Sequence, residues 1–382
     1  MFFQVSKTKW AVLFAGLCMF VLGISDNIRG PLFPELIQYF KLSNSQGSLS
    51  FACASGAAFF GTLTSIYVLK RFLLDRLLWI SMALMGLGLL QMGFAPGYLW
   101  FLLGAVIFGF SLGTTGVAQN LLITESVEPR LQSQALSGLH GIYGLSSLIA
   151  PFLASRSPGW MSGDWRSGFF ISAVLAGIVL ILILSTSPKI KFHHHVPKDA
   201  VLPKSGLTAK IWLSGFFASY VGAEILVSTR LALYMRSYFS MNLEQSSNYV
   251  TYFFVFLLLG RLVFALKRFA MPLRSQLNLF LCFSLLALIL GLSVHPFFLT
   301  LVGFTMAPFY PLAIVYISNI TGVHKRNYLT FVMGVQSLCV ILMHVGVGYI
   351  TDAFGLFYAF GIGIFLLALA IFCLNFHPPV DA

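Results

Sequence analysis

Charge is what this sequence has least of. Asp and Glu number 11 in 382 residues, and charged residues together make up 9% of the chain, against about 25% in a soluble domain. So little charge cannot cover a water-facing surface, which excludes a soluble globule. Cysteine is also sparse. The five residues Cys18, Cys53, Cys282, Cys339 and Cys373 all fall in apolar runs, with neither metal-site spacing nor a disulfide framework. There is no Gly-rich phosphate loop, and spacing singles out no Ser-His-Asp or Cys-His set. Nothing points to an enzyme, a resident metal or an organic cofactor. What is abundant is apolar sequence: 58% of residues are hydrophobic and 39 are Phe, which predicts an all-α polytopic membrane protein.

A helix needs about 20 mostly apolar residues to span a bilayer. Windows of that length predict twelve spans, at 10–39, 46–69, 74–95, 98–127, 131–155, 167–186, 208–238, 245–267, 272–293, 295–321, 327–352 and 355–376. Lys7 and Lys9 precede an apolar run as in a signal peptide, but no small-residue cleavage site follows promptly, so the run is expected to be a retained first span. The net charge of +12 is not a nucleic-acid signature, because the basic residues sit in short loops. Sixteen Lys and Arg fall in loops on the side of the N-terminus and four on the other side, which predicts both termini in the cytoplasm. The longest polar stretch follows the sixth span. It predicts an N-terminal six-helix bundle at 1–186, a cytoplasmic linker at 187–207 and a C-terminal bundle at 208–382. His193–His195 in the linker are expected to be solvated, since three adjacent side chains point different ways.

Several motifs sharpen this. YVGAE (Tyr220–Glu224) opens the seventh span, and LSGLHGIYGLSSLIAP (Leu136–Pro151) lies in the fifth. LGRL (Leu259–Leu262) is in the eighth and GFTMAPFYP (Gly303–Pro311) in the tenth. Together they resemble the major facilitator superfamily, in its fucose-permease-like branch of sugar:proton symporters. The resemblance implies two pseudo-symmetric bundles working by alternating access around a midplane site. The chain also departs from that pattern. Its loop between spans two and three, YVLKRFLLDRLL, lacks the acid and second glycine of the family's G-x-x-x-D-R-x-G-R-R. Gly116 stands where fucose permeases carry a fourth-span acid. Arg230 stands where sugar-binding relatives tend to have an aromatic.

Ionisable side chains within spans cost free energy and usually face water or a partner. Asp26 and Arg29 are spaced i, i+3 on one helix face and are expected to pair. Gly30, Pro31 and Pro34 beside them should bend or open the helix. Asp26 is a candidate coupling-ion site and Arg29 a candidate substrate ligand; a static ion pair is the alternative. Glu224 is the second coupling candidate, with helix–helix contact as its alternative. Arg230 lies six residues on, about 240° round a straight helix, so the two do not share a face. Arg230 is read either as a substrate ligand or as a side chain reaching the outer surface. Asn120, His140, Tyr143, Asn319 and Gln336 are candidate substrate contacts. Glu125 with Arg71 and Arg76 forms a candidate cytoplasmic gate.

The function these residues predict is secondary active transport of a small polar solute, a sugar or sugar-like molecule with acidic ones included, across a bacterial inner membrane. Coupling would be to protons or sodium, by a monomer in the lipid bilayer. Efflux of drugs or lipophilic anions is the alternative. A transport-inactive sensor or scaffold is the reading from another class.

Overall fold

A computed structural model describes residues 7–69, 73–161, 163–186, 206–266 and 270–378. Arg71, the His193–His195 run and residues 187–205 of the linker lie outside the described residues. Regular structure among the described residues is helical throughout. The first half runs α1 (Lys7–Asn27), α2 (Arg29–Phe40), α3 (Asn44–Val68), α4 (Leu74–Gly93), α5 (Tyr98–Ser126), α6 (Pro129–Trp160) and α7 (Ser167–Thr186). The second runs α8 (Leu207–Phe239), α9 (Leu243–Leu266), α10 (Leu273–Ser293), α11 (Phe297–Met306), α12 (Phe309–Thr321), α13 (Lys325–Phe354) and α14 (Leu356–Phe376).

Two of the twelve predicted spans are broken, and proline explains both. Pro31 has no N–H to give the carbonyl of Asn27, and α1 hands over to α2 at Ile28. The expected opening therefore sits one turn before the prolines themselves. In the tenth span Pro308 and Pro311 withhold the same donor, and α11 gives way to α12 across Ala307 and Pro308. Among the described residues, 11 helical stretches are long and apolar enough to cross a bilayer. The span expected at 46–69 corresponds to α3.

By its internal contacts the chain forms two units. One runs up to Leu32 and resumes at Cys53 through α7; the other joins Phe33–Ala52 to the chain from α8 onward. In the first, α4 lies against α5 and α7, and α1 packs on α5, α6 and α7. In the second, α8 is the central helix and packs on α9, α13 and α14, while α11 packs on α9 and α10. Lipid drives no apolar side chains together, so close helix approach rests on small residues. Gly109 and Gly113 of α5 lie so close to Ala54 and Ala58 of α3 that a Cβ at either would collide with backbone. Gly113→Val should lower the melting temperature of purified protein by several degrees, since overpacking costs about 1–3 kcal/mol or more. Gly116→Ala, where a Cβ meets nothing within 4 Å, should leave it unchanged.

Candidate functional site

The break between α1 and α2 assembles the first charged cluster. Asp26 ends α1 and Arg29 opens α2, and the Arg29 guanidinium pairs with the Asp26 carboxylate across the joint. Arg29 Nε also donates to the Asp26 carbonyl at 3.3 Å, a group that the end of a helix leaves open. The guanidinium lies 5.0 Å from the centre of the Phe108 ring. From α6, Tyr143 donates its hydroxyl proton to Asp26 Oδ2 at 3.2 Å. Asn27 Nδ2 reaches Tyr143 Oη at 3.2 Å and Ser147 Oγ at 2.9 Å. The sequence paired Asp26 with Arg29 and named Tyr143 separately as a candidate substrate contact. Asn27 and Ser147 were not legible as partners, because they join helices far apart in the chain.

The second cluster surrounds Glu224. Tyr220, one turn earlier on α8, puts its hydroxyl against the Glu224 carboxyl and 2.7 Å from the Met306 carbonyl. Met306 is the last residue of α11, at the break. The Tyr220 ring stacks on Phe309 at 3.8 Å between centroids. Arg261 on α9 and Tyr310 on α12 act electrostatically on the same carboxyl. Glu224 thus has a hydroxyl in hydrogen-bond contact and also feels the charge of Arg261. The i, i+4 spacing of Tyr220 and Glu224 was readable in YVGAE; the Met306 carbonyl was not.

Arg230 corrects the sequence expectation that it reaches toward the surface. It is 1% exposed. Its guanidinium lies 4.3 Å from the Phe33 ring centre and 4.8 Å from that of Phe51. Nη2 donates to Ser48 Oγ at 3.0 Å and lies 3.5 Å from His344 Nδ1, whose ring stacks on Phe51. Nη1 is buried with no hydrogen-bond partner. All five residues belong to the second unit. The aromatic faces take the place that water or a carboxylate would otherwise hold. Glu224 and Arg230 are separate sites, as their angular spacing implied.

Two more ties lie in the same unit. Arg236 pairs with Glu35. The Asp352 carboxylate at the end of α13 accepts the backbone N–H groups of Asn44 and Ser45, at 2.8 Å each. It caps the first turn of α3, where unsatisfied donors collect. Asn120 donates to the Gly116 carbonyl of its own helix at 2.7 Å. His140, Asn319, Glu125 and Arg76 are exposed and Gln336 is half-buried.

Helices broken at membrane depth beside ionised or polar groups are an arrangement of transporters. Residues 15–335 match the sequence profile of the Major Facilitator Superfamily. The chain belongs to that superfamily. Among curated relatives, this major facilitator chain is 26% identical over 241 residues to the efflux pump hmp6 of Hypomyces subiculosus, covering 60% of this chain and 40% of the relative. It is 25% identical over 206 residues to the efflux pump aflT of Aspergillus parasiticus, covering 52% and 37%. The chain thus spans about two fifths of the length of these relatives. Its fold matches a D-xylose-proton symporter with a TM-score of 0.77 at 16% identity, over 96% of this chain and 97% of that one. It matches the transporter FucP in an outward conformation at 0.65 and 18%, over 98% and 100%. A bacterial homologue of the human lysosomal transporter Spinster, inward-facing and occupied, matches at 0.74 and 14%, over 96% of each chain. The match places the chain in a superfamily of membrane transporters.

Proposed function

We propose that this chain exports organic anions that carry an apolar body, by alternating access coupled to an ion at Asp26 or Glu224. One observation carries the choice of substrate. Asp26 has Arg29, and Glu35 has Arg236, whereas Arg230 is fully buried between two phenyl rings with one nitrogen unpartnered. An uncompensated buried cation is costly, and a carboxylate would supply the missing partner while an apolar body suits the aromatic surroundings. The efflux pumps among the relatives support the export direction. Purified protein in liposomes should exchange labelled benzoate in counterflow, and Arg230→Gln should cut that exchange more than about tenfold, since losing one partner of a desolvated charge pair costs about 2–5 kcal/mol. Unchanged exchange in Arg230→Gln would remove the proposal.

A second reading is ion-coupled uptake of a sugar-like solute. It is supported by the hydroxyl and amide groups of Tyr143, Asn27 and Ser147 around Asp26, and by the resemblance of Tyr220–Glu224 to sugar symporters. Counterflow of hexoses in place of benzoate would favour it. No exchange of any solute in such a panel would favour a sensor or scaffold.

A further inference from the structure

The two acids read from the sequence as coupling candidates sit in opposite surroundings. Asp26 faces a guanidinium and accepts a hydrogen bond from Tyr143, an environment built for a carboxylate. Glu224 faces a hydroxyl whose single proton has two claimants. A phenol has one proton to give, and the Met306 carbonyl, 2.7 Å from Tyr220 Oη, can only accept. If Tyr220 donates to Met306, the contact between Tyr220 and Glu224 is a hydrogen bond only when the acid donates. We infer that Glu224 carries the transported proton in this conformation, while Asp26 stays ionised as a fixed partner of Arg29. The proton's role in transport rests on the transport reading above; the proton itself does not.

The surroundings of Glu224 support a proton. Tyr220 Oη and the Met306 carbonyl are 2.7 Å apart, a hydrogen-bond distance. The electrostatic neighbours of Glu224 come from two other helices. Arg261 comes from α9 and Tyr310 from α12. Helix α11 presents the Met306 carbonyl, α13 brings Cys339 and α14 brings Leu366 beside Gly222. On α8 and α13, Arg230 and His344 belong to the other cluster.

Release of the proton has a structural consequence. When the Glu224 O–H bond breaks, its electron pair stays on the carboxylate and the proton passes to water. The Tyr220 hydroxyl then has a stronger acceptor in the carboxylate and turns from the Met306 carbonyl. The tie between α8 and the α11–α12 break is lost. Protonation of Glu224 therefore fastens that joint and deprotonation frees it, a two-position element of the kind a transport cycle needs.

The test is infrared spectroscopy of the reconstituted protein at pH 7, without added solute. Wild type should show a protonated carboxylic-acid carbonyl band that shifts in deuterated water, persists in Asp26→Asn and vanishes in Glu224→Gln. Its survival in Glu224→Gln, or its loss in Asp26→Asn, would overturn the inference. Tyr220→Phe keeps the acid but removes its acceptor, so the band should move to higher frequency; a band that stays in place would also overturn it. Hydrogen exchange of residues 303–311, corrected for intrinsic rates, should rise with pH in wild type, stay low in Glu224→Gln and stay high in Tyr220→Phe. A wild-type profile flat with pH would refute the joint's dependence on the proton. If the band is present but benzoate and hexose counterflow both fail, the proposed function falls and the proton site stands. If counterflow works without the band, the reverse holds.

Discussion

Asp26→Ala alone should destabilise the protein by about 3–5 kcal/mol, and Asp26→Ala with Arg29→Gln should recover most of that loss. The reason is the asymmetry of buried ion pairs. Bringing two charges out of water costs about as much as their attraction returns, so removing both is nearly neutral. Removing one strands the other. Here the group left without its carboxylate would be the Arg29 guanidinium, whose side chain is 13% exposed and which also meets the Asp26 carbonyl and the Phe108 ring. The pair also spans the point where α1 gives way to α2, so losing it loosens the first span at its weakest turn. Thermal unfolding in detergent with a double-mutant cycle measures the coupling. Equal melting temperatures for the single and double variants would show that the pair is decorative.

Arg230→Leu should do the opposite to stability and still abolish anion exchange. The guanidinium is buried without a carboxylate, and one of its nitrogens has no partner. Leucine removes the cost of desolvating a charge and keeps apolar contact with Phe33 and Phe51, for a gain of about 1–4 kcal/mol on the pattern of buried charges replaced by packed apolar groups. Benzoate counterflow should fall to background in the same protein. Arg230→Lys tests the geometry: an ammonium keeps the charge but cannot stack flat between two rings, so exchange should drop although the charge is retained. A destabilised Arg230→Leu would mean that the aromatic faces and Ser48 more than offset the burial of the cation. Such a group would then be structural.

Spans and local pairs were legible in the sequence, and long-range partners were not. The apolar windows located every helix to within a few residues, except that α6 runs on to Trp160, past the last apolar stretch. The i, i+3 pairing of Asp26 and Arg29 followed from helix geometry alone. Pro308 and Pro311 signalled a second break as plainly as Pro31 and Pro34 signalled the first, but only the first was drawn. Arg230 was left between two readings because its surroundings are Phe33, Ser48, Phe51 and His344. No periodicity connects a residue to rings almost two hundred positions away. An arginine read by composition reaches for water; one read by its neighbours is held by aromatic faces.

The membership of Phe33–Ala52 in the second unit bears on how the protein is made. This hairpin leaves the ribosome early. Arg230 and Arg236 follow about two hundred residues later, and the Asp352 carboxylate that caps α3 is 307 residues beyond Ser45. Through most of synthesis the Asn44 and Ser45 N–H groups lack the Asp352 carboxylate and Glu35 lacks Arg236. The N-terminal half cannot be completed as an independent unit while the chain is growing. Two halves expressed as separate polypeptides would each lack part of their own fold until they met. The last helices to be inserted are the ones that close the first.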